Sequence, residues 1–303
     1  MGHETAVLAF YGLEGSKTEW TTEWGVIPIY PNDPRDYGIE RARMCYDDFQ
    51  ADIFIALIDV WVMRDLDPNI NFVPWLPVDH DPVPPLVIDV LKHHPGIIKP
   101  LVQSKWGQRK LKEAGIDSWY IPNDFKTSLF APNAEWRKTR RERYKWEDKF
   151  IIGMVGTNHA ERKNWTAAMQ AVSIMNKKHP GEIIFYCHTN PLDGRGINLL
   201  GLRENLGIQD ISFFPMLSQT ALGLTLETMA QTYNVFDVFL LPSKGEGFCR
   251  PIVEAESCGV PVVTTRCTSH QEFVYGGWFI ENLRKQWTPQ EITRSALSSK
   301  KKK

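Results

Sequence analysis

The chain has 303 residues, 43% of them hydrophobic and 23% charged, with a formal net charge of -1 at pH 7. That length and apolar content can bury a sizeable core and favour two domains over one. Near-neutral charge argues against a dedicated nucleic-acid binder, and no apolar run approaches the ~20 residues of a membrane-spanning helix.

Five cysteines, Cys45, Cys187, Cys249, Cys258 and Cys267, form no CxxC pair and no metal spacing, which suits a reducing compartment. The start of the chain lacks the basic and apolar regions of a signal peptide. The expected location is therefore cytoplasmic, with any membrane contact peripheral to the inner face.

Taken in order, the chain opens with an expected strand over Ala6–Phe10. Residues 12–36 are punctuated by Trp20, Trp24, Pro28, Pro31 and Pro34 and read as loop or short strands. A helix is expected over Gly38–Phe49 and a buried strand over Ile53–Val60. The segment NFVPWLPVDHDPVPP then joins a short strand to a stiff loop in which His80 lies between Asp79 and Asp81. Flanking carboxylates raise a histidine's basicity and the prolines fix its position, whereas a lone loop histidine is ordinarily a solvated surface residue. A helix over Pro85–Lys92, a strand over Ile97–Gln103 and a helix in KWGQRKLKEAG, stopped by a glycine cap, follow. Residues 133–148, NAEWRKTRRERYKWED, are basic and read as a solvated helical linker between domains spanning 1–132 and 149–303; a basic face on a peripheral, lipid-acceptor enzyme is the second reading.

The second half begins with a strand over Phe150–Gly156, the turn TNHAERKN and a helix over Asn164–His179, a strand-turn-helix that suits an anion at the helix start. By itself, the Arg162–Lys163 pair in that loop is ordinary surface chemistry. The strand IIFYCHT, a polar loop, a helix over Asn198–Leu206, a strand over Ile211–Phe214 and a helix near Thr225–Tyr233 come next. Regular alternation of strand and helix predicts an α/β architecture with a parallel sheet in each half, hence two Rossmann-like domains with a cleft between them.

The stretch from Phe239 to Thr265 reads FLLPSKGEGFCRPIVEAESCGVPVVTT. An apolar strand leads into a Gly-rich loop with Glu246, then a short helix with Glu254, a glycine stop and a second apolar strand. Gly245 and Gly247 allow close backbone approach to a ligand, and Pro251 fits the first turn of a helix whose free N–H groups face the loop. The two carboxylates, one in the loop and one about two helical turns on, flank that turn. They can instead cap or solvate a surface helix.

PSKGEGFCRPIVEAESCGVPVV resembles the signature of the retaining family 4 glycosyltransferases, E-G-F-G-x-x-x-x-E-A-x-A-x-G-x-P-V-V, on the GT-B fold. Cys249 and Ser257 depart from it. The resemblance implies that Glu246 contacts the transferred sugar's hydroxyls, that Glu254 holds the nucleotide ribose and that backbone N–H groups near Gly247 and Phe248 take charge. It assigns Lys163 to the donor diphosphate; Thr157 stands where Arg is usual, with Arg162 as its substitute. VDHDP resembles the segment whose histidine, here His80, meets the donor sugar near the scissile bond. CTSHQEFV resembles a small-residue turn and a glutamate, Glu272, lining the donor pocket, and IPNDFKTSLFAP resembles the segment closing the first domain, with Asp124 replacing Gly. Gly-His-Glu at residues 2–4 resembles residues before the second strand of that fold. The first strand, its Gly-rich loop and the first helix are accordingly expected to be missing, and the carboxyl end, with room for one helix and a solvated Lys300–Lys303 tail, to be short.

The implied activity moves a sugar from a nucleotide diphospho-sugar to a glycan, lipid or protein acceptor with retention of configuration. It requires no metal or other cofactor, and the two-carboxylate logic of glycosidases does not apply to Glu246 and Glu254. A catalytically impaired nucleotide-sugar-binding module, a nucleotide-sugar epimerase and a sugar phosphorylase on the same architecture are the alternatives.

Overall fold

The structure, a computed structural model, describes residues 2–9, 13, 15–23, 25–32, 37–159, 162–216 and 223–281, and the backbone alone of 283–288 and 294–299. The Lys300–Lys303 tail lies outside the described residues. Contacts divide the chain into two compact units, residues 1–78 with 83–121, and residues 79–82 with 122–303.

The first unit holds two sheets. A short β1 (Val7–Leu8) runs parallel to β3 (Gly25–Tyr30), which pairs antiparallel with β2 (Thr18–Thr22). Helix α1 (Ile39–Asp48) then leads to a parallel sheet ordered β4 (Phe54–Leu57), β5 (Phe72–Leu76), β6 (Leu101–Val102), β7 (Trp119–Tyr120). Helix α2 (Pro85–His93) carries its proline in the first turn, where a missing N–H costs nothing. Helix α3 (Lys105–Glu113) is capped by the Ser104 side chain accepting from the Gly107 N–H, and Gly115 beyond it is left-handed at φ 76. Val60, Met63, Ile70, Phe72, Leu76, Val102 and Leu111 form the core of this unit.

The buried strand expected over Ile53–Val60 is shorter and half-exposed. Only Phe54–Leu57 is extended, a 3₁₀ turn begins at Val60, and Ile53, Ile55 and Leu57 are each about half exposed. β4 ends the sheet order, paired only with β5, and side chains alternate along it: Phe54, Ala56 and Ile58 pack against the core while Ile53, Ile55 and Leu57 point to the uncovered face.

The second unit is built on six parallel strands in the order β10 (Ser212–Phe213), β9 (Ile183–His188), β8 (Phe150–Val155), β11 (Val238–Leu241), β12 (Val262–Thr265), β13 (Gly277–Ile280). The chain starts in the middle at β8, winds outward to β10, and returns to the other side of β8 with β11. Ligands of doubly wound sheets bind beyond the carboxyl ends of the strands at that reversal. Helices α4 (Ala134–Tyr144), α5 (Trp165–Lys178), α6 (Leu199–Asn205), α7 (Leu226–Tyr233), α8 (Arg250–Ser257) and α9 (His270–Phe273) accompany the strands. Trp165, Phe185, Tyr233, Phe236 and Phe239 are among the largest fully buried side chains of this core. The single helix expected near the carboxyl end is instead β13 followed by an antiparallel pair, β14 (Leu283–Thr288) and β15 (Arg294–Ser299), in which two facing backbones satisfy each other's hydrogen bonds.

Within the basic stretch 133–148, Ala134–Tyr144 is helical and most residues are exposed. The Asn133 side chain caps α4, and two of its arginines turn inward. Arg137 donates to the carbonyls of Asn234 and Phe236, while Arg141 donates to the carbonyls of Val235 and Lys149 and, at 2.6 Å, to Asp237. Carbonyls left bare at the end of α7 draw the guanidinium groups in.

Candidate functional site

Two loops leave the sheet where its order reverses. One follows β8 and is described at residues 156–159 and 162–164; the other follows β11 and carries residues 242–249. Lys163 packs its stem over Gly156, where an added Cβ would meet the lysine carbons at 3.2 Å. Gly245 passes so close to the Asp79 carbonyl that a Cβ would sit 2.5 Å from the oxygen, so only glycine fits. Cys249, in the left-handed region at φ 75, turns the chain into α8 with Pro251 in its first turn.

These turns bring Glu246 onto Lys163 and Arg162. The Lys163 ammonium lies 2.6 Å from Oε1 of Glu246, and the Arg162 guanidinium lies 2.6 Å from Oε2 while also donating to the Gly245 carbonyl at 2.9 Å. Lys163 and Glu246 are buried, and Arg162 is one-third exposed. Burial opposes the Glu246 charge, but Lys163 and Arg162 together outweigh it and hold the carboxyl well below the usual range. For Arg162 the same burial is outweighed by Glu246 and by the nearby Asp79 charge.

The Glu246 loop is fastened from β12. The Glu246 N–H donates to Thr268 Oγ1 at 2.9 Å, and Ser269 Oγ donates to the Glu246 carbonyl at 2.8 Å. Buried His270 lies behind, bonded through Nδ1 to the Thr265 carbonyl at 2.9 Å, with its Nε2 lacking a partner; burial lowers its basicity.

Glu254, on α8, has partners of its own. Tyr233 donates its hydroxyl to Oε2 of Glu254 at 2.9 Å, and Arg250 lies 3.5 Å from Oε1. Burial raises this carboxyl, with Tyr233 and Arg250 opposing the rise. The two glutamates are therefore tuned in opposite directions, one firmly ionised and one more easily protonated.

The other expected site residues are placed as follows. His80 pairs with Asp79 in the segment 79–82 that clusters with the second unit. Thr157 stands at the exit of β8, its carbonyl accepting from the Trp165 indole at 3.3 Å. Gly247 and Phe248 are buried, the phenyl ring 4.3 Å from that of Phe273. Glu272 is half-buried on α9. Sequence reasoning missed Tyr233, Thr268, Ser269 and Asn158, which ties the loop after β9 to the loop after β8 by bonding both sides of Ile197. Only Thr268 and Ser269 had a signal, as members of the small-residue turn.

A metal could be considered at Glu246, Cys249 and His270, whose ligand atoms lie within 4.8 Å of one another. The donor set does not fit: Lys163 and Arg162 occupy both Glu246 oxygens, and burial holds the Cys249 thiol protonated.

Residues 149–288 match the family Glycosyl transferases group 1. Over 150 residues the chain is 27% identical to the serotype-specific mannosyltransferase WbdA of Escherichia coli, a match covering 48% of this chain and 17% of that protein. The chain thus spans only a small part of the curated relatives it matches. Among solved structures, HepE of Anabaena in complex with UDP-glucose superposes with a TM-score of 0.63 at 17% identity, covering 84% of this chain and 72% of that one. Sucrose-phosphate synthase of Thermosynechococcus elongatus superposes with a TM-score of 0.66 at 15% identity, covering 89% and 72%. These likenesses show the expected GT-B fold. Among the described residues, no helix is long and apolar enough to cross a membrane.

Proposed function

We propose that the chain is a glycosyltransferase that takes a sugar from a nucleotide diphospho-sugar and passes it to an acceptor with retention of anomeric configuration. The observation that carries this reading is the meeting of Lys163, Arg162 and Glu246 at the point where the strand order reverses, on loops from two adjacent strands. The match of residues 149–288 to glycosyl transferases group 1, the likeness to the mannosyltransferase WbdA and the UDP-glucose complex of HepE support it.

In this scheme the donor diphosphate draws Lys163 and Arg162 away from Glu246, and the freed carboxylate accepts hydrogen bonds from the sugar hydroxyls. Glu254 takes the ribose hydroxyls. The two cations neutralise the charge that develops on the leaving diphosphate, so no metal is required of the mechanism. His80, Thr157, Gly247, Phe248 and Glu272 complete the proposed donor contacts. Glycan, lipid and protein acceptors all fit this chemistry, and the five buried free cysteines suit a reducing, cytoplasmic setting.

A binding module without turnover is the second reading, favoured by Thr157, which brings no charge to the diphosphate. A thermal-shift panel of uridine, guanosine and adenosine diphospho-sugars tests the site, because stabilisation follows affinity. Stabilisation by one of them with release of free nucleotide on adding acceptor supports transfer; stabilisation without release supports the binding module, and no stabilisation by any contradicts both.

A further inference from the structure

We propose that Tyr233 is a positioning residue that presents Glu254 to a ribose diol and thereby makes the site prefer ribonucleotides over 2′-deoxyribonucleotides; the proposal rests on reading Glu254 as the ribose acceptor. Tyr233 closes α7 and is fully buried. Its ring is held edge-on by Phe130, Phe236 and Phe239, with centroids 6.0, 5.9 and 5.8 Å away. A tyrosine has two side-chain torsions, so a ring clamped on three sides fixes its hydroxyl in space.

That hydroxyl donates to Oε2 of Glu254 at 2.9 Å. Among the described residues, Oε1 has only the loose Arg250 contact at 3.5 Å, from a guanidinium that is nearly half exposed. One carboxylate oxygen is therefore anchored and the other is free to accept. An anchored carboxylate has a defined plane, and a vicinal diol needs acceptor lone pairs in a defined plane to bond through both hydroxyls. Burial and the adjoining carboxylate hold the phenol protonated, so it stays a donor throughout the neutral range. Nothing in the local sequence announces this pairing, because Tyr233 and Glu254 are 21 positions apart on different helices.

The test measures, by calorimetry, the affinities of uridine, guanosine and adenosine diphosphates and their 2′-deoxy forms for the wild type, Tyr233→Phe and Glu254→Gln. The wild type is expected to prefer the ribose form of the nucleotide it binds, Glu254→Gln to lose that preference, and Tyr233→Phe to reduce it about tenfold, the scale of one hydrogen bond to a charged group. Donor KM should rise more than kcat falls. If Glu254→Gln loses the preference while Tyr233→Phe keeps it, the positioning role is wrong and the reading of Glu254 stands. A Tyr233→Phe variant that weakens ribose and deoxyribose forms equally has a merely structural tyrosine, which also overturns the proposal. If the wild type shows no ribose preference, or binds none of the three nucleotides, both the proposal and the reading of Glu254 fall.

Discussion

Glu246 keeps its charge in a buried place because the Lys163 and Arg162 cations reach it, so disturbing either partner is costly. Removing one partner of a buried pair leaves the other uncompensated, at a cost of about 3–5 kcal/mol. Glu246→Gln, which leaves the Lys163 ammonium facing a neutral amide, is expected to fall near the low end of that range in urea unfolding; a loss below about 0.5 kcal/mol would mean the pair contributes little. The pH dependence has a defined sign. The native carboxyl is held below the unfolded one, so the pairing stabilises fully above the ordinary carboxylate range and is lost as pH falls through and below it. Wild type should lose stability between pH 5 and pH 3 more steeply than Glu246→Gln, and parallel curves for the two would contradict the assignment. Glu246 stood out in the sequence as a carboxylate in a Gly-rich turn, whereas Lys163 and Arg162, ordinary surface cations by local pattern, were singled out only by the resemblance to the glycosyltransferase signature. The fasteners were not legible: Thr268 and Asp79 meet the loop only once the strands are aligned.

At the scale of elements, α4 and β4 each depart in part from what their composition suggests. A run of arginines reads as a solvated face, yet Arg141 spans Val235, Lys149 and Asp237 and is buried. The sequence shows the donors but not the bare carbonyls between Asn234 and Asp237 that receive them. Arg141→Ala should cost about 2–4 kcal/mol in chemical denaturation, since it strands a carboxylate and several carbonyls. Lys138→Ala, on the exposed side of the same helix, should stay within about 0.5 kcal/mol. Equal effects would show that the helix does not dock as described. In β4 the error ran the other way, because an apolar run does not reveal which strand ends a sheet. Ile55→Thr should therefore cost less than about 1 kcal/mol, whereas Phe72→Ala, on the neighbouring strand and fully buried, should cost about 3–5 kcal/mol.

For the molecule as a whole, the alternation of strands and helices made the parallel α/β design readable, and the order of strands gave it meaning. With β8 and β11 adjacent, residues near 160 and near 246 share one site although some eighty positions separate them. Glycine and proline marked the turns well: Gly245 is required by the Asp79 carbonyl, and Pro251 by the start of α8. Polarity alone could not show that Glu246 and Glu254 serve in different electrostatic states. If these two loops form a nucleotide-sugar donor site, calorimetric titration of the best-stabilising nucleotide diphospho-sugar into wild type, Lys163→Ala and Glu254→Ala shows it directly. Expected are a single site in the wild type, at least tenfold weaker binding in Glu254→Ala, and a fall in turnover larger than the fall in affinity in Lys163→Ala. Unchanged affinity and turnover in both variants would contradict it.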